Sequence, residues 1–339
     1  MSDPLTLPRP EARPLRVGVL GAARIVRQAL IDPLASLPDL RVARIAARDL
    51  SRARSFAFDV GIPAASATYA DLVAADDVDI VYNPLPASLH AEWSMAALRA
   101  GKHVLCEKPF AANAAEAAEM VGVARAEGRC LGEAFHHRYH PLFHRVLAVV
   151  ASGVLGPLQR LEGTFTVSIG RPDIRWDSLT GGGAVMDLGC YVVSWFRHVT
   201  GEEPSAVRAE VEPDGADALV DAAMTAELVF PSGVTALLRV SMRPEVEPER
   251  RLRVEGADGW LEAANPISPQ RGNHLVVETV GGRTVGPVDA GNSYVHMWRA
   301  FADHVAHGTP FVTSGDDAVA NMASIDAIYR AAGLPPRGR

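Results

Sequence analysis

Cysteine is scarce in this chain: Cys106, Cys130 and Cys190 are the only three in 339 residues, an odd number with no Cys-x-x-Cys spacing. That excludes a disulfide-stapled secreted scaffold and a paired-cysteine metal or redox motif, and it fits reduced thiols buried in apolar segments. No apolar stretch approaches the roughly 20 residues that a membrane helix needs. The N-terminus lacks a basic start backed by an apolar core; residues 1–14 are rich in proline and polar residues and read as a flexible tail. A cytoplasmic location without a membrane partner is expected. Excess positive charge is missing too, and a formal charge of -7 argues against nucleic acid or anionic membrane as a partner. What the chain does have is a 48% hydrophobic content, enough for a full core split between two domains.

From residue 15 to 134 short apolar runs alternate with helix-length segments. Strands are expected over 15–20, 41–47, 78–82, 102–106 and 130–134, and helices over 24–36, 51–59 and 88–100, the first kinked or cut short by Pro33. A further helix is capped by Asn113, with Glu116 three residues on as in a capping box, and ends at Gly128. Strands separated by helices predict an α/β Rossmann domain with a doubly wound parallel sheet. Later the pattern changes. Strands over 158–169, 206–212, 222–230, 234–242, 251–255 and 275–280 follow with few helices between them, and Pro231-Ser232-Gly233 and Gly281-Gly282 read as hairpin turns. Residues 135–339 therefore form an α+β C-terminal domain with a mainly antiparallel sheet. Helices over 295–307 and 316–332 close the chain, and the stripe Val319, Met322, Ile325 and Ile328 marks the second as packed, with the Rossmann domain as one place for it.

The first strand-to-helix turn lays the dinucleotide fingerprint on Gly21, Ala23 and Val26, so only one of its three glycines is present. The loop nevertheless opens the first helix, where free N–H groups favour phosphate, and Gly21, Ala23, Arg24 and Ile25 are cofactor-binding candidates. At the tip of the second strand, where an acid would hold the adenosine ribose in an NAD enzyme, Ala46-Ala47-Arg48 has none. Arg48, with Arg24 or Arg52, can pair with a 2′-phosphate, so NADP is the preferred cofactor and NAD the alternative. Asp49 is assigned to capping the next helix.

Glu107-Lys108-Pro109 directly follows the apolar run 103–106. In open parallel sheets ligands bind outside the carboxyl ends of the strands, which makes Lys108 the leading catalytic candidate. Several segments together resemble the glucose-fructose oxidoreductase and inositol dehydrogenase family (Gfo/Idh/MocA), in its branch with dihydrodiol and xylose dehydrogenases. They are 21–25, Val81-Tyr82-Asn83-Pro84-Leu85-Pro86 running into His90-Ala91-Glu92-Trp93, 101–109, Glu133-Ala134-Phe135, Asp173-Ile174-Arg175-Trp176, and 181–191. The resemblance covers nearly the whole chain. It implies a Rossmann domain for the dinucleotide and a large open antiparallel sheet that carries substrate residues and subunit contacts.

The resemblance places Lys108 beside the carbon that exchanges hydride, where an ammonium stabilises alkoxide charge. Glu107 then orients or tunes Lys108, and Pro109 follows a cis peptide bond. Asp187 and Tyr191 match the family's Asp-x-x-x-Tyr/His element and share a helix face. Tyr191, its pKa lowered by the lysine, serves as general acid/base, and Asp187 anchors substrate or tunes Tyr191. Which of Lys108 and Tyr191 takes the proton is left open. Arg175 and Trp176 are substrate-binding candidates that could instead pack their loop; Pro84, Leu85 and His90 belong near the nicotinamide. Gly181-Gly182-Gly183 lets the chain approach ligand closely.

Two departures stand out. Ala87 replaces the family's usual asparagine, and His136-His137 replaces Met-Tyr or similar pairs, which reshapes the pocket. His136 and His140 are spaced for a metal on a helix, but Pro141 and the lack of a carboxylate partner speak against one, and no metal is expected. The implied activity is an NADP-dependent oxidoreductase acting on a secondary alcohol or ketone of a sugar, polyol or cyclic diol. Alternatives are a nucleotide-sensing regulator of the same fold, or a sugar-sugar oxidoreductase with tightly held cofactor. A homodimer or homotetramer is expected, on the ground that the open sheet otherwise exposes a large apolar patch.

Overall fold

In the computed structural model the described residues are 13–288 and 291–338. The expected tail therefore lies outside the described residues up to residue 12. Arg13, placed in that tail by the sequence, is fixed by a two-pronged pair with Asp79 at 2.7 and 2.9 Å.

Six strands, β1 (Leu15–Leu20), β2 (Leu40–Ala46), β3 (Ala64–Ser66), β4 (Ile80–Asn83), β5 (His103–Cys106) and β6 (Leu131–Glu133), form an all-parallel sheet in the order β3-β2-β1-β4-β5-β6. The reversal between β1 and β4 leaves a crevice at their carboxyl ends. The first helix is less regular than expected: a π-turn over Arg27–Ile31 precedes the short α1 (Asp32–Leu34), which holds Pro33. Helix α2 (Leu50–Val60) starts on Asp49, whose side chain accepts the Arg52 N–H, and ends at Gly61 in the left-handed region. Between β3 and β4 lies α3 (Tyr69–Val73), and α4 (His90–Arg99) follows β4. Asn113 caps α5 (Ala114–Glu127) through the Glu116 N–H, but Glu116 reaches the Ala112 N–H rather than completing the reciprocal box. Helix α6 (Pro141–Ala151) leads to the second sheet.

That sheet has eight strands: β7 (Leu158–Thr166), β8 (Ser205–Pro213), β9 (Asp221–Val229), β10 (Thr235–Ser241), β11 (Glu249–Gly256), β12 (Gly259–Ala264), β13 (His274–Thr279) and β14 (Gly282–Gly286). Their order is β14-β13-β12-β11-β7-β10-β9-β8, antiparallel except where β7 pairs with β10. On its inner face lies α7 (Cys190–Thr200). Gly163 makes that docking close, since a Cβ there would sit 2.8 Å from the Phe196 ring.

The outer face corrects one expectation. It is not apolar but carries rows of ion pairs: Arg160 with Glu162, Arg208 with Glu210, Arg251 with Glu249, and Arg253 with Glu255. That face therefore lacks the broad apolar patch on which the expected oligomer was based. Helix α8 (Ser293–His307) returns to the first sheet, where the Trp298 indole donates to the Ala29 carbonyl at 2.7 Å and its ring meets Tyr82 edge-on. Helix α9 (Gly315–Ala331) packs on α5 with Met322, Ile325 and Ile328 fully buried.

Candidate active site

A cavity of about 670 Å³ opens at the carboxyl ends of β1, β4 and β5 and is closed on its far side by the second sheet. Its Rossmann side includes Ala22, Ala23, Arg24, Ile25, Pro84, Leu85, Glu107 and Lys108, with Tyr294 of α8, and its opposite wall Phe165, Arg175, Asp187 and Tyr191.

Gly21 shapes the first turn. Its φ of +93° suits glycine, its N–H donates to Ala46 O at 2.7 Å, and a Cβ would press on Leu85 at 3.0 Å. Asn83, at the end of β4, braces the next turn by donating to Ser94 Oγ at 3.0 Å and accepting the Leu85 N–H. His90 is fully buried outside the cavity wall. Its two ring nitrogens lie 2.7 Å from Leu85 O and 2.9 Å from Pro109 O, so it ties the Pro-Leu-Pro turn to the Lys-Pro turn, and burial lowers its pKa to about 4. The Lys108-Pro109 bond is cis. Glu107 accepts the Tyr82 hydroxyl at 2.6 Å and the Lys108 backbone N–H at 3.2 Å, which fixes where the lysine leaves the strand.

From Lys108 a chain of alternating charges crosses the cleft. Lys108 Nζ donates to Asp187 Oδ1 at 2.7 Å and Asp187 O at 3.0 Å; Arg175 Nε donates to Asp187 Oδ2 at 2.7 Å; Arg175 and Arg24 both reach Asp173, at 3.0 and 2.6 Å. Burial opposes both members of the central pair, but Asp187 outweighs it and raises the Lys108 pKa, while Lys108 and Arg175 hold the Asp187 carboxyl well below the usual range. Asp187 thus has both oxygens engaged by Lys108 and Arg175, where the sequence reading had it anchor substrate or tune Tyr191.

Asp187 sits on a π-turn (Val185–Gly189) that runs into α7, and Tyr191 lies in the first turn of that helix. The Lys108 ammonium is 5.2 Å from the Tyr191 ring centroid. Burial dominates the phenol and pushes its pKa well above the ordinary value, opposite to the expected lowering. The three glycines pack against protein as well as lining the cavity. Gly181 lies under Ala87, where a Cβ would come within 3.0 Å, and a Cβ on Gly182 would strike the Arg175 and Asp177 carbonyls. Ala87 is therefore a packing partner of the glycine loop.

Other candidates fall elsewhere. Trp176 is buried outside the cavity wall; its indole donates to Ile169 O at 3.2 Å and Arg171 covers its ring, so it packs the loop. Arg48 is exposed at the end of β2, outside the cavity lining, and Arg52 lines the cavity while donating to Ala22 O at 3.1 Å. His136 does line the pocket, stacked on Tyr294 at 3.8 Å with Nδ1 2.8 Å from Ser293 Oγ, and burial lowers its pKa to about 3. His137 sits behind Tyr191, ring centroids 5.3 Å apart. His140 Nδ1 caps α6 through the Leu142 N–H, and residues 136–139 form a 3-10 turn, which removes the helical spacing a shared metal would use.

Residues 15–135 match the model of an oxidoreductase family with an NAD-binding Rossmann fold, and residues 143–262 match the GFO/IDH/MocA C-terminal domain. The chain belongs to the GFO/IDH/MocA family. Among GFO/IDH/MocA relatives, a D-xylose 1-dehydrogenase (NADP(+)) of Haloferax volcanii is 39% identical over 93% of this chain and 96% of its own. A dTDP-3,4-didehydro-2,6-dideoxy-alpha-D-glucose 3-reductase of Actinomadura kijaniata is 33% identical, covering 94% and 95%. The solved 3-ketoreductase KijD10 from Actinomadura kijaniata, in complex with NADP and TDP-benzene, superposes with a TM-score of 0.88 at 31% identity over 96% of this chain and 100% of that one.

Sequence reasoning missed Asp173, Phe165 and Tyr294 as parts of the site. Asp173 was within reach as a charge two residues before Arg175; the two aromatics carry no local signal.

Proposed function

We propose that this GFO/IDH/MocA protein is an NADP-dependent oxidoreductase that moves a hydride between nicotinamide and the carbinol or carbonyl carbon of a sugar, polyol or cyclic diol. The observation that carries the proposal is the Lys108–Asp187 pair, beside Tyr191, at the strand ends where the family's dinucleotide domain meets its second sheet. The cavity suits a dinucleotide: a turn whose Gly21 takes a φ of +93° that favours glycine, with Arg24 and Arg52 on the rim. Residues 22–25 would hold the pyrophosphate, and Arg48 and Arg52 the 2′-phosphate. Related enzymes named for NADP support that preference over NAD.

Bound NADP supplies the hydride acceptor or, reduced, the donor. Lys108 stays charged because of Asp187 and stabilises negative charge on the substrate oxygen from a position where its side chain is only 15% exposed. Arg175 and Glu107 are positioning residues: one fixes Asp187, the other fixes the backbone of Lys108. Tyr191, protonated at neutral pH, gives its proton to the carbonyl oxygen during reduction and takes it back during oxidation. His136 and Phe165 shape the wall facing the substrate.

Fluorescence titration of the purified protein with NADPH and NADH tests the cofactor assignment. Tighter NADPH binding, with the preference reduced in Arg48→Ser, supports it; equal binding of both, unaffected by that change, contradicts it.

A further inference from the structure

Three buried histidines around the site differ in what their ring nitrogens meet. Both nitrogens of His90 face main-chain carbonyls, and both of His137 are shut off from solvent with no hydrogen-bond partner among the described residues. Of the three, His136 is the one that lines the cavity. Its ring is wedged between two others: stacked on Tyr294, with centroids 3.8 Å apart and 23° between the planes, and edge-on to Tyr191 at 6.3 Å.

A chain of hydrogen bonds fixes which nitrogen of His136 carries the proton. The Ser293 hydroxyl, fully buried at the start of α8, donates to Gln270 Oε1 at 3.2 Å. A hydroxyl has one proton, so Ser293 Oγ accepts from His136, whose Nδ1 lies 2.8 Å away. Nε2 of the neutral ring is then a bare acceptor. Burial, then the Lys108 charge, lowers the pKa to about 3, so the ring is neutral at physiological pH. Nε2 has no partner among the described residues, yet it is not sealed off as the His137 nitrogens are. In a residue only 2% exposed, that opening is the cavity. The three carboxylates of the cavity wall are already engaged: Asp187 by Lys108 and Arg175, Asp173 by Arg175 and Arg24, Glu107 by Tyr82 and the Lys108 N–H. Nε2 is thus a free acceptor next to the reacting groups.

We propose that His136 selects the substrate: its Nε2 accepts the hydroxyl on the carbon next to the reacting carbinol, so that vicinal diols and 2-hydroxy sugars are taken in preference to simple alcohols. The edge contact with Tyr191 supports an adjacent carbon, because one substrate oxygen meets Lys108 and Tyr191 while its neighbour meets His136. Tyr294 beneath the ring and Ser293 behind it keep the imidazole from turning away, so the acceptor is set before substrate arrives. An analogue without that hydroxyl displaces water from Nε2 and leaves it unpaired, which is how a site built for an O–H rejects the analogue lacking it. This inference rests on the oxidoreductase reading, because it names which substrates that site takes.

The test compares initial rates of the NADP-loaded protein on D-xylose, D-glucose and trans-cyclohexane-1,2-diol with rates on analogues whose neighbouring hydroxyl is replaced by hydrogen or by fluorine. Each replacement is expected to lower kcat/KM by about ten- to a hundredfold, the size of a hydrogen bond lost at a buried acceptor. Fluorine should rescue nothing, because it accepts hydrogen bonds but has no proton to give Nε2. His136→Phe, which keeps the stack on Tyr294, should bring the ratio of parent to deoxy probe close to one, and His136→Gln should recover part of that ratio. A fluoro probe that matches its parent, equal rates on parent and deoxy probe, or a preference that survives His136→Phe overturns the proposal while the oxidoreductase reading stands. If His136→Phe does not fold, Gln270→Leu on the exposed loop replaces it: the Ser293 proton turns to Nδ1, Nε2 becomes a donor, and the fluoro probe should gain on the deoxy probe, where no gain overturns the proposal. If no probe is turned over, the oxidoreductase reading fails and nitrogen-15 NMR of the imidazole decides, with the His136 signals assigned by their loss in His136→Gln. A bare Nε2 whose resonance moves on adding the diol but not cyclohexanol upholds the acceptor; a protonated Nε2, or one that answers neither, overturns it.

Discussion

Lys108 Nζ lies 2.7 Å from Asp187 Oδ1, each side chain 15% exposed, and Arg175 holds the other oxygen of the same carboxylate at 2.7 Å. A lysine this sheltered would ordinarily lose its proton more easily than in water, because burial disfavours its charge. The paired carboxylate reverses that outcome, and the ammonium is favoured.

Asp187→Asn should therefore shift the pH profile. Without the carboxylate, burial and the nearby Arg175 both disfavour the Lys108 charge and its pKa falls, so the alkaline limb of kcat/KM moves to lower pH while NADPH binding holds. The loss at neutral pH is expected to be about ten- to a hundredfold, in the range of a lost charge-assisted contact. An alkaline limb that stays in place would show that Asp187 does not control the lysine.

Glu133 gives a prediction on stability. It is fully buried at the end of β6, and burial pushes its carboxyl well above the usual range. Between the unfolded pKa, about 4.3, and the raised folded one, the folded state binds the extra proton, so stability falls as pH rises. Glu133→Gln should flatten that slope, raising the thermal midpoint at pH about 8 more than at pH about 5. A larger gain at the acid end contradicts the assignment.

The C-terminal segment should matter to the site. Arg337 is 4% exposed, pairs with the fully buried Asp221 at 2.8 Å and donates to Gly182 O at 3.0 Å, while Asp221 also accepts the Val185 N–H that begins the π-turn. Removing one member of a buried pair typically costs about 3–5 kcal/mol. Arg337→Met is expected to lower stability in that range by denaturant titration and to reduce kcat through the displaced turn that carries Asp187. Unchanged stability would show that the pair contributes little.

Much of this was legible in the sequence where periodicity is strong. The alternation over 15–134 locates five of the six parallel strands, and Lys108 follows from its place after β5. Missed were β3 and α3, too short to show a period, and β12, whose Glu262, Ala263 and Ala264 are weak strand formers. The exposed edge strand β14 carries little apolar signal. The charge chain Arg24–Asp173–Arg175–Asp187–Lys108 joins residues up to 149 apart in sequence, and only the folded chain brings them together. The high pKa of Tyr191 was misjudged because local charge was visible and burial was not.

The most direct measurement is the initial rate of nicotinamide reduction, followed by absorbance, over aldoses, polyols and cyclic diols with NADP and with wild type or Lys108→Met. Lys108 is one of only two lysines, and the other, Lys102, is bound to the carbonyls of Ala75 and Val78, so no neighbouring amine replaces it. Turnover of one substrate class by wild type, falling by about a hundredfold or more in the variant while NADPH still binds, is the predicted result. Turnover that survives loss of the lysine, or tight NADPH binding with no turnover of any class, would contradict it.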